Sequence, residues 1–206
     1  MYIPDHFKET DPACLATLLR DYPFGTLITV HDGLPFVSHI PFLHERRSDG
    51  TQVLRGHVAK TNPQWHDLDE KQTALVVFQG PHAYISPSRY ESPGVPTWNY
   101  AVVHVYGKAR LLQDVTSLEK LMTELTTVYE SEQANPWTPG LFGERRAQLL
   151  GMIVGFEIEA QDIQAKFKLS QNRSRNDQQA VIDQLNKSPS TSALAKLMQA
   201  QAKNKS

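Results

Sequence analysis

The sequence predicts a mainly β, α+β fold in which six or seven antiparallel strands close into a barrel, with helices at its periphery and its C-terminus. Three observations carry this. Short β-branched and apolar runs recur between turn signals. An Asp-Gly pair, Asp32-Gly33, sits between two such runs and supports the positive φ of a hairpin turn. Helical periodicity is confined to a few separate stretches that interrupt the strands.

The elements follow in order. Asp11 and Pro12 read as a cap and first turn, and Ala13, Leu15, Leu18 and Leu19 continue at helical spacing until the chain meets Pro23. Residues 24–30 and 34–43 are the two arms of the hairpin. Residues 53–58 and 74–78 are strands, and 83–86 is a shorter one, with Gly80-Pro81 as a tight connection before it. The longest β pattern is 99–112, with Gly107 as an expected bulge. Residues 153–158 are the last strand. Residues 115–130 place Leu118, Leu121, Met122, Leu125 and Val128 on one stripe, the mark of an amphipathic surface helix. Further helices are expected over 143–152, 177–186 and 192–202. The organisation expected is a barrel domain over 1–174 and a helical extension over 175–206.

Composition narrows the function. The chain has 206 residues, 40% hydrophobic, enough for a core, and a net charge of −1. Near-neutral charge and the lack of a persuasive helix-turn-helix pattern do not support DNA binding, although a local basic patch is compatible with it. A single cysteine, Cys14, rules out a disulfide framework and a thiolate zinc site, and its apolar setting reads as a small buried hydrophobe. The histidines do not recur at metal-ligand spacing. With no signal core and no apolar run of membrane-spanning length, a cytoplasmic protein is expected.

Four segments could carry chemistry. In 54–65, LRGHVAKTNPQW, a strand runs into His57, Lys60, Thr61 and Asn62 ahead of Pro63. A helix starting at Pro63 and capped by Asn62 or Thr61 would turn free N–H groups toward an anion, and Lys60 adds a full charge. The anion could be a nucleotide, a sugar phosphate or a carboxylate. In 36–42, alternation puts Val37, His39 and Pro41 on one face, where His39 is a core residue or a ligand group with even weight. In 78–87, Gln79 and Gly80 offer polar groups at a strand end. In 95–100, Trp98 and Tyr100 could wall a planar ligand with Asn99 at its edge, although packing alone accounts for such aromatics. The basic run KFKLSQNR could touch a phosphate or nucleic acid, although taken alone it reads rather as a solvated strand end.

YIPDHF, GHVAKTNPQW, FQGPHAYISPSRY, VPTWNYAVVHVYGKARLL and KFKLSQNR, in this order, resemble the PaiB family of FMN-binding negative transcriptional regulators. The resemblance covers about residues 1–185. It implies an FMN-binding split β-barrel that pairs as a homodimer with two flavin sites at the interface. It also implies that Ser38, His39 and Ile40 line the flavin, and that His57, Val58, Ala59 and Lys60 approach the ring edge and the ribityl-phosphate tail. Asn62 and Trp65 would close that end, and Trp98, Asn99 and Tyr100 would reach the flavin across the interface. Two departures stand out. Arg89 stands where related sequences often have tryptophan, and Lys60 stands where other barrels carry arginine, losing a bidentate fork. The competing readings are a flavin-dependent oxidoreductase using NAD(P)H or a small reductant and, behind it, a haem-binding protein.

Overall fold

The computed structural model describes residues 1–68, 72–138 and 143–204. Residues 205 and 206 of the C-terminal extension therefore fall outside the described residues. Among the described residues, eight strands and five α-helices form the element set: β1 Lys8–Glu9, α1 Pro12–Asp21, β2 Phe24–His31, β3 Leu34–Pro41, β4 Leu43–Arg46, β5 Gln52–Ala59, β6 Thr73–Ile85, β7 Thr97–Leu112, α2 Val115–Glu130, α3 Gly143–Leu150, β8 Ile153–Lys168, α4 Arg175–Leu185 and α5 Pro189–Asn204. The sheet order is β3-β2-β6-β7-β8-β5-β4, with β1 on β8.

Two compact units divide the chain. One comprises residues 1–22, 78–104 and 164–206; the other comprises 23–77 and 105–163. Strands β6, β7 and β8 contribute residues to both.

The second unit is built from local signals first. Asp32 and Gly33 take positive φ of 50° and 78°, so the hairpin turn forms as Asp-Gly chemistry dictates. That turn sets the β2–β3 register, with Thr26 opposite His39 and Ile28 opposite Val37. β5 pairs with β4 on one side and with β8 on the other, from Val53 opposite Glu159 to Ala59 opposite Ile153. Helix α2 starts at an Asp114 cap whose carboxylate accepts from Ser117 N at 2.9 Å, and its apolar stripe buries Leu118, Leu121 and Leu125. Leu121 and Leu125 pack with Leu43 and Leu112 in one cluster.

In the first unit, Asp11 Oδ1 accepts from Ala13 N at 2.9 Å and Pro12 opens α1, a capped start contributing about 1 kcal/mol. Leu15, Leu18 and Leu19 are its buried face. Helices α4 and α5 belong to this unit and bury Val181, Ile182, Leu194, Ala195 and Met198.

Five expectations are corrected. Among the described residues the strands number eight: Lys8–Glu9 pairs with β8, the expected 34–43 strand divides at Phe42, whose N–H bonds to Pro23 O at 2.9 Å, and the expected 74–78 and 83–86 strands are one. Gly80-Pro81 is not a connection: β6 passes straight through it. Gly80 is needed for close packing, because a Cβ there would lie 3.0 Å from Leu18 Cδ1 and 3.3 Å from Ala101 O. Gly107 is not a bulge, and burial alternates unbroken through it. Its role is close approach, since a Cβ would fall 2.1 Å from Glu159 O. The expected helix at Pro63 is a six-residue 3-10 turn, Pro63–Leu68. The last strand extends ten residues further than expected, to Lys168.

Gly107→Ala should therefore destabilise the chain by about 3 kcal/mol, since the obstructing atom is a backbone oxygen that cannot rotate away. Chemical denaturation of the variant against the parent measures this, and a loss below about 1 kcal/mol would show that β7 and β8 separate easily there.

Candidate functional site

Nine of the predicted site residues lie in the second unit. The β5–β8 ladder ends at Ala59, and Lys60 N then bonds to Met152 O at 2.8 Å. Asn62 N turns back to Ala59 O at 2.9 Å, and Asn62 Oδ1 accepts from Gln64 N at 3.0 Å. The cap predicted for Asn62 is thus present, but on a 3-10 turn. The amides of Lys60, Asn62 and Gln64 are spent inside the protein, so the charge available to an anion is the exposed Lys60 side chain rather than a fan of free N–H groups.

The turn is tied to the β2–β3 hairpin by side chains. Asn62 Nδ2 donates to Ser38 Oγ at 3.0 Å. Gln64, with no exposed surface, reaches Phe36 O at 3.1 Å, Thr29 Oγ1 at 3.2 Å and Leu27 O at 3.3 Å through Nε2. Trp65 Nε1 donates back to Lys60 O at 3.0 Å, and its ring lies against His66. Sequence reasoning missed Gln64, because its partners lie 28 to 37 residues away and no local pattern marks them.

Strand alternation sorts the remaining residues. Ser38 and Ile40 share one face; His39 is on the other, with Nδ1 3.0 Å from Thr26 Oγ1 and its ring stacked on Phe24. Val37 joins His39 on that face, as predicted, and Phe24, Val30 and Val37 leave 66%, 50% and 47% of their surface exposed there. Val58 is buried, so only its backbone could serve a ligand, whereas Ala59 is exposed. His57 Nδ1 is buried with no hydrogen-bond partner among the described residues. Burial holds the His57 pKa below the ordinary histidine range, so the ring is neutral at pH 7, with one donor and one acceptor nitrogen.

The other four predicted residues lie in the first unit. Gln79 is exposed, with Nε2 3.5 Å from His82 Nδ1. Trp98 is 54% exposed and gathers His82 and Tyr84 about its ring at 6.2 and 6.1 Å. Tyr100 is half-buried beneath the Lys166 ammonium, 5.6 Å from its ring. Asn99 is 1% exposed, and its Nδ2 donates to Ser170 Oγ at 2.8 Å and Met198 Sδ at 3.6 Å. Its side chain thus faces the protein interior. The basic run is less solvated than expected, since Lys168 donates to Thr97 Oγ1 and, at 2.8 Å, to Trp98 O. Burial, aided by Lys166, pulls its pKa down. Arg89 is exposed at the end of a short 3-10 turn. The Cys14 thiol is pushed up to about 11, chiefly by burial and then by its hydrogen bond to Asp11, so it stays protonated at pH 7.

An antiparallel sheet of eight strands with this helix set is the fold of split-barrel flavin-binding proteins. The flavocytochrome Anf3 of Azotobacter vinelandii superposes with a TM-score of 0.63 at 14% identity, over 81% of this chain and 72% of that one. An FAD- and haem-binding protein of Mycobacterium smegmatis superposes at 0.57 and 17% identity, over 84% and 78%. In sequence, the chain is 40% identical to protease synthase and sporulation protein PAI 2 of Bacillus subtilis over 205 residues, covering 97% of each. An uncharacterized protein of Emericella nidulans is 35% identical over 223 residues, covering 88% of this chain and 89% of the relative. The chain belongs to the family described as "Putative FMN-binding domain", whose model matches residues 1–162, and the resemblance to the PaiB family is borne out. Among the described residues no helix is long and apolar enough to cross a membrane.

The turn beside Lys60 carries a pH dependence. Asp67, on the same 3-10 turn, bonds to His31 Nδ1 at 3.0 Å and accepts from Thr29 Oγ1 at 3.2 Å. The hydrogen bond and charge of Asp67 raise the His31 pKa. The pair's contribution to stability is therefore complete below the ordinary histidine pKa of about 6.5 and is lost as pH rises through the raised folded value. Thermal midpoints of the parent should fall relative to His31→Gln as pH rises across that window. Parallel curves would show that the pair is energetically silent.

Proposed function

We propose that this chain is an FMN-binding split-barrel protein that works as a homodimer and lowers gene expression, as the PaiB resemblance implies. One observation carries the flavin assignment: an exposed Lys60 stands on the same β5-to-turn segment as a buried, neutral and unpartnered His57 Nδ1. A phosphate-bearing tail calls for the former, and the donor and acceptor edge of a flavin ring calls for the latter. An unmet buried polar group costs about 1–3 kcal/mol, which a ligand hydrogen bond would recover. The donor set therefore fits FMN. Lys60 would hold the phosphate, while Ser38 and Asn62, already bonded to each other, would keep the turn at a fixed place. When bound, the flavin supplies electron-transfer chemistry. The protein supplies the cation and the neutral imidazole.

The family match and the split-barrel fold support flavin binding, and the PAI 2 likeness supports a regulatory setting, since that relative is named for protease synthesis and sporulation. A net charge of −1 favours regulation without direct contact to DNA. In this reading the apolar face of Phe24, Val30 and Val37 is covered by a second copy.

Two measurements test the reading. Titration of the purified protein with FMN, followed by flavin fluorescence, should show saturable binding that Lys60→Ala weakens about tenfold, the loss of one charge-assisted contact. An unchanged dissociation constant would remove Lys60 from the phosphate. Light scattering should give twice the protomer mass, and Val37→Asp should halve it by placing a charge in an apolar interface. A dimer that survives this change would move the interface elsewhere. Steady turnover of NADPH with an acceptor would replace the regulatory reading with an oxidoreductase.

A further inference from the structure

The strand-entrance segment 90–99 is held in the first unit by a run of side chains that lies outside the 162 residues matched by the family model. Four residues between 168 and 177 contact it. Lys168 Nζ donates to Thr97 Oγ1 and, at 2.8 Å, to Trp98 O. Ser170 Oγ accepts from Asn99 Nδ2 at 2.8 Å, and Met198 Sδ on α5 lies 3.6 Å from the same nitrogen. Arg173 Nη1 donates to Pro93 O at 3.0 Å, with its guanidinium 4.3 Å from the Tyr90 ring. Asp177 has no exposed surface, and its carboxylate accepts from Glu91 N at 2.8 Å and Ser92 Oγ at 2.6 Å.

A segment that only joined β6 to β7 would not need this. Val95, at 67% exposed, lies before β7 begins at Thr97, and Trp98, at 54%, is the second residue of that strand, so burial of these side chains does not fix them. Polar anchors add to the strand's own hold. They are spread over 168–177, and they grip the backbone as much as the side chains, which fixes position rather than composition. Trp98, with His82 and Tyr84 about it, is thereby presented to solvent on a rigid base. An exposed indole pinned at its own carbonyl is preorganised to stack on a planar ligand at little entropic cost.

We propose that residues 166–177, with Met198 of α5, form a clamp that sets the place of Trp98 and so controls how tightly the flavin is held. Lys168, Arg173 and Asp177 are positioning residues; none is assigned a contact with the flavin. The proposal rests on the reading of 98–100 as a wall of the FMN site. It gives the C-terminal extension a function in that site.

The test compares FMN affinity, thermal midpoint and hydrogen exchange in full-length variants. Trp98→Ala should weaken FMN binding about tenfold. Arg173→Met and Asp177→Ala should weaken it to a similar degree and raise amide exchange over 90–99. Asp177→Asn should restore affinity, because its amide can still accept from Glu91 N and donate to Ser92 Oγ. Adding Arg173→Met to Trp98→Ala should cause no further loss. If Trp98→Ala binds FMN like the parent, the wall reading falls and the clamp's role in binding falls with it. If Trp98→Ala weakens binding while Arg173→Met and Asp177→Ala bind like the parent, the wall stands and the clamp is overturned. Unchanged exchange over 90–99 in both clamp variants overturns it equally. Should Asp177→Ala fail to fold, Arg173→Met and Lys168→Met decide, judged at an unchanged thermal midpoint.

Discussion

The ladder between β5 and β8 is the constraint on which the second unit depends. Seven residue pairs, from Val53 opposite Glu159 to Ala59 opposite Ile153, fix β5 in register. The glycines on and beside this ladder allow it. Gly155 admits Leu118 and Leu121 of α2, which would meet a Cβ at 2.9 and 3.2 Å, and Gly107 lets β7 approach Glu159. One residue of slip would exchange the buried Leu54, Gly56 and Val58 for Arg55 and His57. The end of this ladder is also where the candidate site begins. Lys60 N takes Met152 O as the last rung, and the chain must turn there. The position of the Lys60 cation is thus an outcome of strand register.

Once the chain turns, polar groups take over from apolar ones. Gln64 carries its amide into a wholly buried place and ties the turn to three groups of the hairpin. Its Oε1, like His57 Nδ1, has no hydrogen-bond partner among the described residues. Two unmet buried acceptors or donors within one short segment are expensive in a protein of marginal stability. A surface loop with no role would lose such groups at little cost. Glu157 shows the opposite case in the same unit. Burial raises its pKa, but hydrogen bonds from Arg110 and Arg47 outweigh this and hold it below the ordinary range. That carboxylate is fully paid for in place, and it has no need of a ligand.

Legibility in the sequence followed the range of the interactions. Helix α2 was readable at its expected bounds, because its apolar stripe is local. The hairpin was readable because Asp32 and Gly33 alone decide its turn. Gly80-Pro81 misled for the same reason: it has turn chemistry locally, but the space it vacates is filled by Leu18 and Ala101 from distant segments. The tail of β8 was missed because residues 159–164 are mostly polar and partly exposed, so pairing rather than burial makes them a strand. In the site, Lys60, Asn62 and Trp65 announced themselves as a motif. Gln64 did not, since its partners stand 28 to 37 residues away.

The chemistry of Lys60 bears on where affinity can come from. An exposed ammonium gives a phosphate one point charge, screened by salt, where arginine would give a fixed fork. Such a contact supplies little more than about 1–3 kcal/mol, against the roughly 8 kcal/mol of micromolar binding. The remainder must come from burial of the flat ring, which needs apolar and aromatic surface. In the second unit the half-buried or buried neighbours of the turn, Ser38, Asn62 and Gln64, are polar and already bonded to one another. A single screened cation therefore supplies only the smaller share of any tight binding, and the larger share falls on contacts with the flat ring.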